Sequence, residues 1–217
     1  MRIGPVVFVC LAALGYPSVS HAIPVDLSFA GTITGIDVLG VFGGPTTFSG
    51  TLTYETSTLP SLVSSDRSVY TGAVTSVVLQ VGTRSLTGLP ATSSIFVDDN
   101  LGDDDAVQIG FALAPFLGYS NMSFTFSLRD TTATAFTSTA LPTEMALSDF
   151  NSGGCGGSFG PCVTLRGQSV PGGTQELNMV GRLTEFSATT TASVPEPATL
   201  LLVGIGLLTA VRPRKRR

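Results

Sequence analysis

The sequence predicts an all-β protein, a single β-sandwich of jelly-roll type, followed by a C-terminal hydrophobic helix. Three observations lead there. Short runs alternate apolar and polar residues with the period of a strand, clusters of Gly, Pro, Asn, Asp and Ser punctuate them, and an uncharged apolar stretch lies near the end of the sequence.

Taken in order, alternation starts in VDLSF (25–29) and GTITGID (31–37) and resumes in TFSGTLTYE (47–55) and SVVLQVG (76–82). It returns in SSIFV (93–97), AVQIGFAL (106–113), NMSFTFSL (121–128), CVTLRG (162–167) and MVGRLTEFS (179–187). The first hairpin joins Thr32–Asp37 to Thr47–Glu55 through VLGVFGGPT. Within LPTEMALSDF (141–150) Pro142 and Thr143 precede Glu144 and Met145, which predicts one short helical turn. Nothing else in the body competes with the strands.

Both ends of the sequence differ from this body. MRIGPVVFVCLAALGYPSVSHA carries Arg2, an apolar run over 6–14, and small residues at Ser20 and Ala22. That is the layout of a signal peptide over residues 1–22, cut between Ala22 and Ile23, with the Sec machinery and signal peptidase as implied partners. Toward the other end, fourteen uncharged residues, Ala198–Val211, reach about 21 Å as a helix, short of the ~30 Å core of a bilayer. Arg212, Arg214, Lys215, Arg216 and Arg217 follow, and their long side chains extend the usable length toward the interface. Positive charge stays on the cytoplasmic side, so the expected arrangement tethers an exported domain to the inner membrane. SATTTAS (187–193) has no apolar payload and reads as a linker between a domain over 23–186 and the segment 194–217.

Between Ile23 and Val194 five arginines face fourteen acids, a formal charge of −9, and no lysine is present. Such a surface repels phosphates and speaks against nucleic-acid partners. The sole histidine, His21, lies in the signal peptide, which removes His-dependent triads, dyads and zinc sites from the mature chain. Cys155 and Cys162, in GGCGGSFGPC, are expected to form a disulfide, with a thiol or metal role as the second reading.

The acidic loop DDNLGDDDA holds Asp98, Asp99, Asn100, Asp103, Asp104 and Asp105, all hard oxygen ligands of the kind Ca²⁺ takes. A solvated acidic turn is the first reading and a Ca²⁺ site the second. The EF-hand spacing fails, since Gly102 falls at the fifth position and the twelfth is not Glu. No other cofactor is implied.

The segment VPEPATLLLVGIGLLTAVRPRKRR resembles the PEP-CTERM sorting signal of exported proteins of Gram-negative bacteria: a Pro-Glu-Pro motif, a hydrophobic helix, then an Arg-rich end. The resemblance covers about 24 residues. It implies processing by an exosortase, a membrane-embedded transpeptidase-like enzyme. Pro195, Glu196 and Pro197 would be its recognition motif, 198–211 the membrane-holding segment, and the basic residues from Arg212 onward the retention signal. It also implies a setting of exopolysaccharide and biofilm genes, and a final place at the cell surface or in the extracellular matrix. The body is similar, more loosely, to other PEP-CTERM proteins in GTITG, FSGTLTYE, LPTEMALSDF and VGRLTEFS, which adds no catalytic residue.

Three functions fit. A non-enzymatic surface or matrix protein is the first. A carbohydrate-binding module is the second, with Tyr54, Tyr70 and Tyr119 as aromatic platforms and no Trp to help them. A glycoside hydrolase using paired carboxylates is the third, although no context nominates an acid and a nucleophile.

Overall fold

The computed structural model describes residues 22–153, 155, 160–169 and 176–190. Eleven strands are present among them: β1 (Pro24–Asp37), β2 (Thr46–Glu55), β3 (Leu62–Val63), β4 (Arg67–Thr71), β5 (Val74–Val81), β6 (Arg84–Asp98), β7 (Asp105–Leu113), β8 (Tyr119–Asp130), β9 (Met145–Ala146), β10 (Cys162–Ser169) and β11 (Glu176–Thr190). The helical turn expected in LPTEMALSDF is a 3₁₀ turn, Leu147–Asp149, directly after β9. Residues 198–211, expected as a hydrophobic helix, lie outside the described residues, and among the described residues no helix is long and apolar enough to cross a membrane.

The sandwich is replaced by a closed barrel. Eight strands form an antiparallel ring, β1-β2-β5-β6-β7-β8-β10-β11, and β11 returns to β1. Two features close it. The first is β6, whose fifteen residues serve two ring neighbours in succession: Arg84–Thr87 pair with β5, while Gly88, Leu89 and Ser94–Asp98 pair with β7. An irregularity between Leu89 and Ser94, around Pro90, redirects the strand, and so the two halves of a would-be sandwich become one continuous sheet. The second is the pairing of the first and last strands over thirteen positions, from Val25↔Thr190 to Asp37↔Leu177. β4 and β3 extend outward from the far half of β6, and β9 flanks the end of β11.

Inward positions are apolar and outward ones polar. On β1, Val25, Leu27, Phe29 and Ile33 are buried, whereas Asp26, Ser28, Thr32 and Thr34 face water. On β11 the buried set switches from Leu177, Met179 and Leu183 to Phe186 and Ala188. A bulge causes the switch: Ala30 pairs with Glu185 and Gly31 with Leu183, leaving Thr184 as the extra residue. Without that insertion the period-two alternation would aim Phe186 outward. A barrel that faces lipid has the opposite dressing, apolar outside.

The interior is filled by rings. Phe29, Phe48, Phe111, Phe124, Phe126 and Phe186 come from five strands, with centroids 4.6 Å apart for Phe29–Phe126 and 5.1 Å for Phe124–Phe126. These two pairs meet edge to face, the geometry the ring quadrupoles favour. Two glycines make room. Phe29 lies across from Gly50 and Phe48 across from Gly31, so each ring occupies the space a Cβ would take. A Cβ on Gly50 would stand 2.5 Å from Phe29 Cζ, and one on Gly31 would stand 2.7 Å from Phe48 Cζ.

The nine strand runs expected from sequence all fall on barrel strands, Gly82 alone standing past the end of β5, but the first arm of the first hairpin is shifted: Pro24–Ile33 pair with Thr46–Glu55, whereas Thr34–Asp37 pair with β11 and not with β2. The expected linker 187–193 is shorter than drawn, because Ser187–Thr190 belong to β11, with Ser187 and Ala188 held by β1 on one side and β9 on the other. Ser187, Thr189 and Thr190 are exposed on that strand, and 191–193 lie outside the described residues.

Gly50→Ala should lower stability by about 1–3 kcal/mol through overpacking against the Val78 carbonyl of β5 and the Phe29 ring. Gly44→Ala, at a position with open space around it, should stay within about 0.5 kcal/mol. Denaturant titrations of the domain measure both, and Phe29→Leu should recover part of the Gly50→Ala loss.

Candidate functional site

Antiparallel register sorts the loops to two ends of the barrel. One end carries the start of β1, the acidic loop before β7, the end of β8, the start of β10 and the end of β11. The start of β1 and the end of β11 therefore stand side by side on this rim, since Val25 pairs with Thr190. The expected cleavage position, Ala22–Ile23, sits immediately before β1, where the Thr56 amide and hydroxyl donate to Ile23 O at 3.2 and 3.1 Å. Pro195, Glu196, Pro197, Arg212, Arg214, Lys215, Arg216 and Arg217 lie outside the described residues, as does the signal peptide through His21.

Beside the end of β11 opens a cleft of about 800 Å³. Its polar lining includes Asp130, Glu144, Ser148, Asp149, Asn151 and Thr189. Residues 144–149 form its wall, and the stretch that leads into them is tied down by buried tyrosines. Tyr54 donates to Pro142 O at 2.6 Å, and Tyr70 donates to Thr139 O at 2.9 Å. The wall then turns on Asp149, which accepts from the Ala146 amide at 2.6 Å.

Asp130 is the anchor of the cleft floor. It accepts from the Thr132 amide and hydroxyl at 3.0 and 2.6 Å, the Thr134 amide and hydroxyl at 2.9 and 3.0 Å, and Asn151 Nδ2 at 3.0 Å. These donors, the Thr132 hydroxyl foremost, hold its carboxyl well below the usual aspartate range. A general acid needs the opposite shift. Sequence reading passed over Asp130, although D-T-T-A-T places hydroxyl and amide donors two and four residues on, the pattern of an Asx turn. Asp37 does the same work at the other end. It accepts from the Phe42 amide at 2.6 Å and from the Tyr119 hydroxyl at 2.8 Å, which in turn accepts from the Leu39 amide at 2.9 Å.

The three tyrosines expected as sugar platforms do not serve as such. Tyr54, Tyr70 and Tyr119 are 1%, 6% and 0% exposed, with their rings in the core and their hydroxyls spent on loops. Burial pushes the phenols of Tyr54 and Tyr119 above the ordinary tyrosine range.

The acidic loop is likewise used internally. Asp98 is clasped by Arg67 at 2.6 and 2.8 Å, Asp104 pairs with Arg129, and Asp99 accepts from Asn100 Nδ2 at 2.9 Å. Asp105, fully buried, accepts from the Asn100 amide at 2.9 Å and the Phe136 amide at 2.8 Å. Asn100, Gly102 and Asp103 take left-handed backbone angles that wind the turn tightly, with Asp103 exposed at its tip. Among the described residues no three acidic, His or Cys side chains converge to hold a metal, so the Ca²⁺ arrangement expected as the second reading is not assembled. The carboxylates point to separate partners around the loop.

Cys155 and Cys162 form the expected disulfide, with Cα atoms 6.2 Å apart. It ties the glycine-rich segment to the first residue of β10, where Cys162 is fully buried.

Two comparisons with known proteins, one against curated proteins and one against solved structures, find no match to this chain. A third does: the PEP-CTERM protein-sorting motif matches residues 193–216.

Because the native carboxyl of Asp130 is more acidic than an unfolded aspartate, its contribution to stability is complete above about pH 4 and drains away as pH falls toward the native value. Melting temperatures of wild type and Asp130→Asn should therefore differ most near neutrality, wild type being higher, and the gap should narrow progressively as pH falls below about 4. A gap that stays constant with pH would show that the charge contributes nothing.

Proposed function

The chain is a PEP-CTERM domain-containing protein, exported and sorted through the motif at residues 193–216, and from that premise we propose that its barrel is a non-enzymatic cargo displayed at the cell surface or in the extracellular matrix. On this reading the inner membrane holds the chain through residues 198–211 only in transit, and an exosortase then acts at Pro195–Glu196–Pro197.

The sorting motif is the observation that carries the proposal. Three features of the barrel agree with a display role. The interior is occupied by phenylalanine rings, which leaves no room for the internal ligand that other eight-stranded barrels hold. The cleft beside β11 contains a carboxylate held ionised by committed hydrogen bonds, its pKa below the usual aspartate range. The outer face is polar and the body strongly acidic, which suits a hydrated exopolysaccharide matrix. The three tyrosines are buried and lend no support to a sugar-stacking module, which a glycan array on residues 23–190 tests separately.

Intact-mass analysis of the protein from a host with an active exosortase should give a chain that begins at Ile23 and lacks the C-terminal segment. The same protein from a strain without the enzyme should keep it. An intact tail in both strains would sink the sorting step.

A further inference from the structure

We propose that the barrel itself sets the distance at which the processing enzyme meets its motif, so that the enzyme must work against the rim around Thr190. The inference rests on the sorting reading above and adds a steric condition to it.

Thr190 is the last residue of β11 and is paired with Val25 of β1. Two and three residues earlier, Ala188 and Ser187 are paired on both sides, to β1 and to β9, and the Ser187 hydroxyl meets the Ser28 hydroxyl at 2.9 Å. The strand end is therefore part of the rigid ring. The matched motif begins at Ser193, two residues, Thr191 and Ala192, after the last described residue of β11. From Thr190 to Pro195 is five residue steps, which in any conformation span no more than about 18 Å. That is less than the ~30 Å diameter of a small domain. An enzyme that grips Glu196 in an active site therefore lies in contact with the rim formed by the start of β1, the Thr56 turn and the wall at 144–149.

Two consequences separate spacing from sequence. Replacing Thr191–Ala192 with Gly-Ser keeps the distance and should leave processing unchanged. Deleting the same two residues shortens the reach to about 11 Å and should slow processing at least tenfold, while inserting Gly-Ser-Gly-Ser after Ala192 should leave it at or above the wild-type rate. Thr189→Pro in the deletion background breaks the final pairings with β1, freeing strand end, and should restore processing in part.

The full-length precursor is expressed with its exosortase, and loss of the tail is followed over time by intact mass. Melting curves of each variant confirm a folded barrel. Processing of the deletion variant at the wild-type rate overturns the proposal, and so does a block that Thr189→Pro fails to relieve. A wild-type chain that keeps its tail in this host instead overturns the sorting reading, which distinguishes the two failures.

Discussion

The ladder between β1 and β11 is the constraint on which the rest depends. It joins the first and last strands, converts an open sheet into a ring, and brings the two chain ends to one rim. Because its partners lie about 150 residues apart in the chain, its formation carries a large loop-closure entropy, repaid only when the aromatic interior packs. The bulge at Thr184 belongs to the same device. It resets the alternation of β11 so that Phe186 joins the ring cluster at one end while Leu177 and Met179 remain inward at the other.

The loops depend on the ring through a second kind of interaction. Buried or half-buried polar groups at strand ends reach out to hold the backbone of the connections: Asp37 and Tyr119 at one end, Asp105, Asp130, Tyr54 and Tyr70 at the other. Each satisfies backbone amides or carbonyls that the ladders leave without partners. This explains a domain with many acids and few cations. Several of its carboxylates act as acceptors for backbone donors rather than as partners in ion pairs.

Strand content was legible in the sequence because outward Ser and Thr alternate so regularly with inward Val, Leu and Phe. Closure was not. Pairing of Val25 with Thr190 leaves no local trace, and the half of β6 around Gly88 and Pro90, which carries the sheet across the seam, lies outside the nine alternating runs. The tyrosines misled for a related reason: residue type alone does not say whether a ring faces the core, whereas their alternation with buried neighbours on β2 and β4 does. The acidic loop offered a ligand cage as its second reading because its carboxylates are adjacent in sequence, and the tight turn directs them toward Arg67, Arg129 and the Phe136 amide. The disulfide and the sorting motif, both defined by short spacings, were readable directly.

The lysine-free body has a practical meaning once the positions of the chain ends are known. The only lysine of the sequence is Lys215. A chain cut before Ile23 and relieved of its tail keeps a single primary amine, the one at its new N-terminus. Val25↔Thr190 pairing puts that amine on the rim from which the tail departed. Amine-directed reagents, from fluorophores to surface-coupling chemistries, then attach at one defined point, and every molecule so attached presents the opposite end of its barrel outward.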